Sequence, residues 1–299
     1  MMPLRFRAFA RGSVYSQLQT YFVWRLATTP QSQVQAYALR HRVYCEELGW
    51  ELSGAAEEAL ESDVFDARSE HALLVHRSSS QVVGCIRLVS SGAADAHTTL
   101  PCLNVLGTLV GAAAAASPQL AAALTQPSLG CELSRCTIAS EFRRRRADGP
   151  APLGLDSGGQ LPATGIHDPR DRGPLPAIGL VLAAAAMFVR SPAQYAFALM
   201  APALARLLAG LGFCLRPVSS AIEYHGVRQL YLFDRHEVMR YTEPSMLASI
   251  AAVHRQLYGN GPDGWCMPVA PFGPVVPSCY SARCDPDAVG KLGCTWLTC

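Results

Sequence analysis

A carboxylate and a guanidinium sit three residues apart inside an otherwise apolar, strand-like run. The run is Gly130-Cys-Glu-Leu-Ser-Arg-Cys-Thr-Ile138, and it carries Glu132 and Arg135 with Ser134 beside them. Taking unpaired charge out of water costs on the order of several kcal/mol. Such a strand therefore holds either a working pair or an edge-strand ion pair facing water. In a regular strand the two side chains would point to opposite faces, because three is an odd step. A β-bulge would bring both to one side, and bulges are common beside active sites. Upstream, Arg87 shares a strand face with Val83, Cys85 and Val89. An arginine on an apolar face needs a carboxylate partner, and the candidates are Asp63, Asp66 and Glu132. His71, at the start of a strand, is a candidate second base or a structural histidine.

The elements that must position these groups can be read in order. Tyr15, Leu18, Phe22 and Trp24 mark a helical or extended lead-in, broken at Thr29-Pro30. Ser32 reads as the N-cap of a helix over 33–48. Ala36, Leu39 and Val43 form its apolar face. Arg40, Tyr44 and Leu48 form a neighbouring stripe, either a surface pair or part of a site, and Trp50 follows the stop at Gly49. Strands over 71–77 and 81–90 are joined by Ser78-Ser-Ser80. An alanine-rich helix over 109–124, the strand 130–138, a helix over 177–190, a strand over 194–200 and a helix over 202–211 come next. Strands over 214–224 and 227–234 close the pattern. The order implies a mixed α/β or α+β layer rather than a repeated βαβ wind.

Composition narrows the function classes. Of 299 residues half are hydrophobic and 16% charged, with a net charge of +2, so a sizeable core is expected and no global field favours nucleic acid. The local exception is Arg143, Arg144, Arg145 and Arg146; the only lysine is Lys291. No signal peptide is expected, and the apolar run over 177–189 fits a buried helix rather than a bilayer span. Residues 147–176 are rich in Pro and Gly and read as an inserted loop. From 259 to the end, Cys266, Cys279, Cys284, Cys294 and Cys299 form no C-x-x-C pair, so a poorly ordered tail is expected rather than a metal site. The other six cysteines read as small core residues.

Lined up together, Leu39-Arg-His-Arg-Val-Tyr-Cys-Glu-Glu-Leu-Gly-Trp50, Asp63-x-x-Asp66, Gly84-Cys-Ile-Arg-Leu88 and Glu132-x-Ser-Arg135 resemble the acyl-homoserine-lactone (autoinducer) synthases. The resemblance is closer to their relatives, the N-acyl amino acid synthases and the PEP-CTERM/exosortase-associated acyltransferases. Val43-Tyr-Cys-Glu46, Ser69-x-His71, Phe142-Arg-Arg-Arg-Arg146, Pro202-Ala-Leu-Ala-Arg-Leu-Leu208 and Tyr224-His-Gly-x-Arg228 carry that second likeness. Tyr44 stands where autoinducer synthases usually have phenylalanine. The match spans about residues 15–235.

The resemblance implies a GNAT-like acyltransferase domain over 1–258, with a central mixed, mostly antiparallel sheet flanked by helices. It implies a cytoplasmic bacterial enzyme that takes an acyl chain as a phosphopantetheine thioester, on acyl carrier protein or CoA, and passes it to an amine. Glu132 would be the general base, with Arg135 and Arg87 beside it and backbone N–H groups at the bulge meeting the oxyanion. Arg40, Tyr44, Trp50, Asp63, Asp66, His71 and Ser134 would shape the acceptor pocket. The arginine run 143–146 is expected to dock the acidic carrier protein. The alternatives are an S-adenosylmethionine-dependent lactone synthase and a non-catalytic binding module of the same fold.

Overall fold

The computed structural model describes residues 14–51, 59–91, 100–143 and 175–259. All of these fall in the first of two units of the chain, residues 1–267. Most of the insertion expected at 147–176, the cysteine-rich tail and Arg144 to Arg146 lie outside the described residues.

The chain opens with helix α1 (Val14–Tyr21), strand β1 (Phe22–Leu26) and helix α2 (Pro30–His41), then β2 (Ser69–His76) and β3 (Val82–Ser90). Three short helices follow: α3 (Pro101–Leu106), α4 (Val110–Ala116) and α5 (Pro118–Thr125). Strand β4 (Gly130–Ile138) and a helical turn α6 (Ser140–Arg143) precede the long helix α7 (Leu175–Arg190). Then come β5 (Tyr195–Met200), α8 (Pro202–Gly210), β6 (Arg216–Pro217), β7 (Ile222–Glu223), β8 (Val227–Asp234), α9 (Arg235–Tyr241) and α10 (Pro244–Tyr258). The described sheet has eight strands in the order β1-β2-β3-β4-β5-β8-β6, with β7 also on β8. Only β4 and β5 run parallel. This is the mixed, mostly antiparallel layer that the resemblance implied.

Strand periodicity decides what each face meets. Ala72, Leu74, Ile86 and Leu88 pack with α7 into the larger core. Leu73, Val75 and Cys85 face Ala36 and Leu39 of α2 and Val43 just beyond it. Arg87 shares Cys85's side of β3, and its register partner on β2 is His71. Both therefore turn toward the C-terminal end of α2. Farther along, Phe197, Leu230 and Leu232 meet α3–α5, while Ala198 and Phe233 meet the α7–α8 side. Helix α7 is apolar around nearly its whole circumference because it is buried on nearly every side,.

Several details depart from the sequence reading. The N-cap of α2 is Thr29, not Ser32; Ser32 is the third helical residue and returns the hydrogen bond, completing a capping box,. The helix expected to run to 48 changes pitch and continues as a π-helical turn, Arg42–Glu47. The strand expected over 214–224 is two short pieces, β6 and β7. Helices α9 and α10 carried no expectation. Asp234 caps α9 by accepting from His236 N–H at 2.8 Å. No single described helix is long and apolar enough to cross a membrane.

Candidate active site

Three buried or half-buried guanidiniums and four carboxylates form one lattice under the end of α2. Arg40, wholly buried, donates to both oxygens of Asp66 at 2.7 and 3.0 Å and also bonds Glu61. Arg87, also wholly buried, donates to Asp63 at 2.6 Å and Asp66 at 2.8 Å. Arg135 bridges Glu61 at 2.9 Å, Glu51 at 3.1 Å and Asp63 at 3.4 Å. His71 Nε2 lies 3.0 Å from Asp66 and 3.3 Å from Arg40. The Asp63-x-x-Asp66 spacing explains why both carboxylates are ready for this. Asp63 accepts from Phe65 N–H and Asp66 accepts from Asp63 N–H, a self-closing turn,. Burial alone would raise the Asp66 carboxyl, but hydrogen bonds from His71 and Arg40 and the charges of Arg40 and Arg87 outweigh it. They hold it far below the usual carboxylate range,.

Glu132 stands apart from that lattice. It is 3% exposed, and its Oε2 accepts the Cys102 backbone N–H at 2.7 Å. Burial raises its pKa above the ordinary 4.5, opposed only in part by Cys102 and by the charges of Arg87 and Arg135. A carboxyl tuned upward is a better base near neutrality. The same tuning weakens the fold. As pH climbs past the ordinary value the unfolded chain loses this proton first, so folding stability falls until the folded group ionises. Glu132→Gln keeps an acceptor for Cys102 and removes that cost. Its melting temperature is expected to exceed the wild type's near pH 7 and to match it near pH 4 in thermal scans. An unchanged or lower value near pH 7 would mean that Glu132 ionises there without strain.

The expected bulge is present. Arg87 pairs with Ser134 but Cys85 pairs with Thr137, so β4 carries one extra residue, and Arg135 adopts a left-handed φ of 52°. Just before it β4 and β5 part company. Their parallel ladder holds only Gly130↔Tyr195, Cys131↔Ala196 and Glu132↔Phe197. From Leu133 onward the two strands diverge, and a cavity of about 730 Å³ opens there.

The cavity lining divides by chemistry. Ala184, Ala185 and Phe188 of α7, Leu204 and Leu208 of α8, and Phe233 make one part apolar. Glu132, Arg135, Asp63 and Glu51, with the Ser134 hydroxyl, make the other part charged and polar. Its rim is a stack of rings: Tyr44 on Trp50 at 6.1 Å and Trp50 on His225 at 5.0 Å. Arg135 lies over Tyr44 and Arg228 over Trp50. The Tyr44 hydroxyl donates to Cys136 O at 3.3 Å, and burial pushes its pKa up to about 12.

Of the residues singled out in the sequence, Tyr44, Trp50, Asp63, Glu132, Ser134 and Arg135 line this cavity. Arg40, Asp66 and His71 stand behind its wall as support. Arg87, expected among the catalytic groups, is likewise behind the wall and touches it through Ser134 Oγ at 3.3 Å. Of Arg87's three candidate partners, Asp63 and Asp66 are used and Glu132 is not. Arg143 does not offer a docking surface: its side chain is buried and paired with Glu47. The rest of that run lies outside the described residues. Glu51, Glu61, Cys102, His225 and Arg228 were missed. The Tyr224-His-Gly-x-Arg228 motif could have flagged two of them.

Residues 39–149 match the acetyltransferase (GNAT) domain family. No curated protein matches the chain. Similar solved structures include FeeM, an N-acyl amino acid synthase from uncultured soil microbes. It has 14% identity and a TM-score of 0.49, over 77% of this chain and 98% of that one. BjaI, a CoA-dependent acyl-homoserine lactone synthase, has 14% identity and a TM-score of 0.48, over 77% and 88%. The acyl-homoserine lactone synthase LasI has 15% identity and a TM-score of 0.43, over 71% and 88%.

Proposed function

We propose that this GNAT-type protein moves a fatty acyl group from a phosphopantetheine thioester, carried on acyl carrier protein, to the amine of an amino acid. Glu132 acts as the general base. The observation that carries the reading is the position of Glu132. It is a buried carboxylate of raised pKa, at the point where β4 leaves β5 and the apolar part of the cavity meets its charged part.

Each part of the chemistry has a matching part of the site. The acyl chain leaves water for the surface made by α7 and α8, which drives its binding. The acceptor amine gives a proton to Glu132, directly or through a water, and attacks the thioester carbonyl. Negative charge then develops on the carbonyl oxygen beside the unpaired edge of β4. Backbone N–H groups there suit an oxyanion. Collapse breaks the C–S bond, forms the amide and releases the pantetheine thiol, which takes up a proton. The aromatic rim and the ion lattice keep the acceptor end rigid.

Incubating the protein with acyl-loaded carrier protein and a mixture of amino acids, with products read by mass spectrometry, tests this directly. N-acyl amino acids are expected. Homoserine lactones formed only with S-adenosylmethionine would replace this reading with a lactone synthase, and no transfer to any amine would end it.

The apolar wall makes a separate prediction. Ala184 and Ala185 leave room that a larger side chain would fill. Ala185→Phe is expected to shift the products to shorter acyl chains and to cut kcat/KM for the wild type's preferred chain by about 10-fold or more. An unchanged chain-length profile would place the acyl group elsewhere.

A further inference from the structure

We propose that Arg228 holds the carboxylate of the acceptor, so that the acceptor is a free α-amino acid rather than a simple amine; this rests on the acyl-transfer reading above. The two arginines that line the cavity are not alike. Arg135 is engaged by Glu51, Glu61 and Asp63. Arg228 makes no ion pair among the described residues; the nearest acting carboxylate, Glu223 on the same turn, reaches it only through its charge. Arg228 donates Nη1 to Val227 O at 3.0 Å and lies 5.6 Å from the centre of the Trp50 ring. Burial pulls its guanidinium below the ordinary value, and the charge of nearby Glu223 offsets this only in part,. An arginine fork fits a carboxylate with two parallel bonds.

The turn that presents Arg228 is built for the purpose. Between β7 and β8 the chain reverses at His225 and Gly226, both left-handed, with φ of 50° and 92°. A histidine held there is strained, and such strain collects at functional sites. Gly226 N–H is anchored on Glu223 at 3.0 Å, and Tyr224 N–H on Gly226 O at 3.0 Å. The turn carries Tyr224, His225 and Arg228 to the rim together. On the other side of the mouth the lattice sets three guanidiniums, Arg40, Arg87 and Arg135, against four carboxylates, Glu51, Glu61, Asp63 and Asp66. Arg68, whose charge also acts on Asp63 and Glu132, balances that count, and the side turns negative once Glu132 is ionised. A zwitterion fits between them, carboxylate toward Arg228 and amine toward Asp63 and Glu132.

The test compares, in the full chain with acyl-loaded carrier protein, the preferred amino acid with its carboxamide and its decarboxylated amine. Wild type is expected to favour the acid by about 10- to 100-fold in kcat/KM. Arg228→Met is expected to raise KM for the acid by a similar factor with little change in kcat, bringing the acid-to-carboxamide ratio toward one. Arg228→Lys, which keeps the charge without the fork, is expected to restore part of the preference. It decides the matter alone if the Met variant does not fold. Wild type that acylates the carboxamide as readily as the acid overturns the assignment and leaves the acyltransferase reading standing. A rise in KM for the donor that vanishes with phosphate-free acyl-pantetheine gives Arg228 to the donor's phosphate and also overturns it. Transfer to no amine by wild type overturns both.

Discussion

Glu132→Gln is expected to yield a folded protein that turns over about 10²- to 10⁴-fold more slowly than wild type. The amine must lose a proton as it attacks, and a neutral amide cannot take it. The substitution is nearly isosteric and spares the bond from Cys102 N–H, so a loss of rate reads as chemistry rather than damage. The pH profile sharpens the test. Wild-type kcat/KM should rise with pH through an acid limb set above the ordinary carboxylate value, because burial raises the Glu132 pKa. In the variant that limb should be missing, while any limb due to the amine's own ionisation stays. Wild-type rates in the folded variant would remove Glu132 as base. Attention would then move to Asp63, a partly exposed carboxylate on the same wall, and not to His71, which is locked behind it against Asp66 and Arg40.

The second large effect is on stability. Arg87→Ala is expected to cost about 3–5 kcal/mol, because it strands buried carboxylate charge. Arg87 is wholly buried, and Asp66 beside it is 5% exposed. Asp63, at 23%, can reach water and soften the loss. Chemical denaturation at neutral pH measures this, and an unchanged midpoint would show the lattice to be energetically idle. The same lattice sets the acid behaviour. The folded Asp66 pKa is depressed, so its stabilisation is complete above the ordinary carboxylate value and drains away as pH falls below about 4,. In Arg87→Ala this acid-dependent share should shrink but not vanish, because Arg40 and His71 still hold Asp66.

How much of this was legible depended on whether a signal was local. The strand 130–138 and its bulge could be read from a charged pair at an odd spacing in an apolar run. The α2 face could be read from Ala36, Leu39 and Val43, all of which are buried. The carboxylate partners of Arg87 were narrowed correctly because buried charge admits few solutions. Glu51 and Glu61 were not legible as ligands of Arg135. They sit in an acidic, loop-like stretch with no periodicity, and only the tertiary fold brings them within 3.1 and 2.9 Å. Arg143 misled for the converse reason. A run of four arginines reads as one solvated surface, yet the first continues α6 inward to Glu47. The cavity itself is a property of two strands separating, which no single segment encodes.

The π-helical turn at Arg42–Glu47 makes this part of the chain sensitive to length as well as to residue type. In an ordinary α-helix each residue advances about 100°, so Arg40 and Tyr44, four apart, would crowd one face. Here the wider turn sends Arg40 into the ion lattice and Tyr44 to the ring stack. Removing one residue between them would restore the normal pitch; what lies beyond would stay near its present angle but about 1.5 Å closer, while the side chains inside the turn would change phase. A conservative exchange at Val43 or Cys45 leaves that phase alone. The segment thus works like a spacer cut to length: a conservative exchange of side chain is tolerated better than a change in the number of residues.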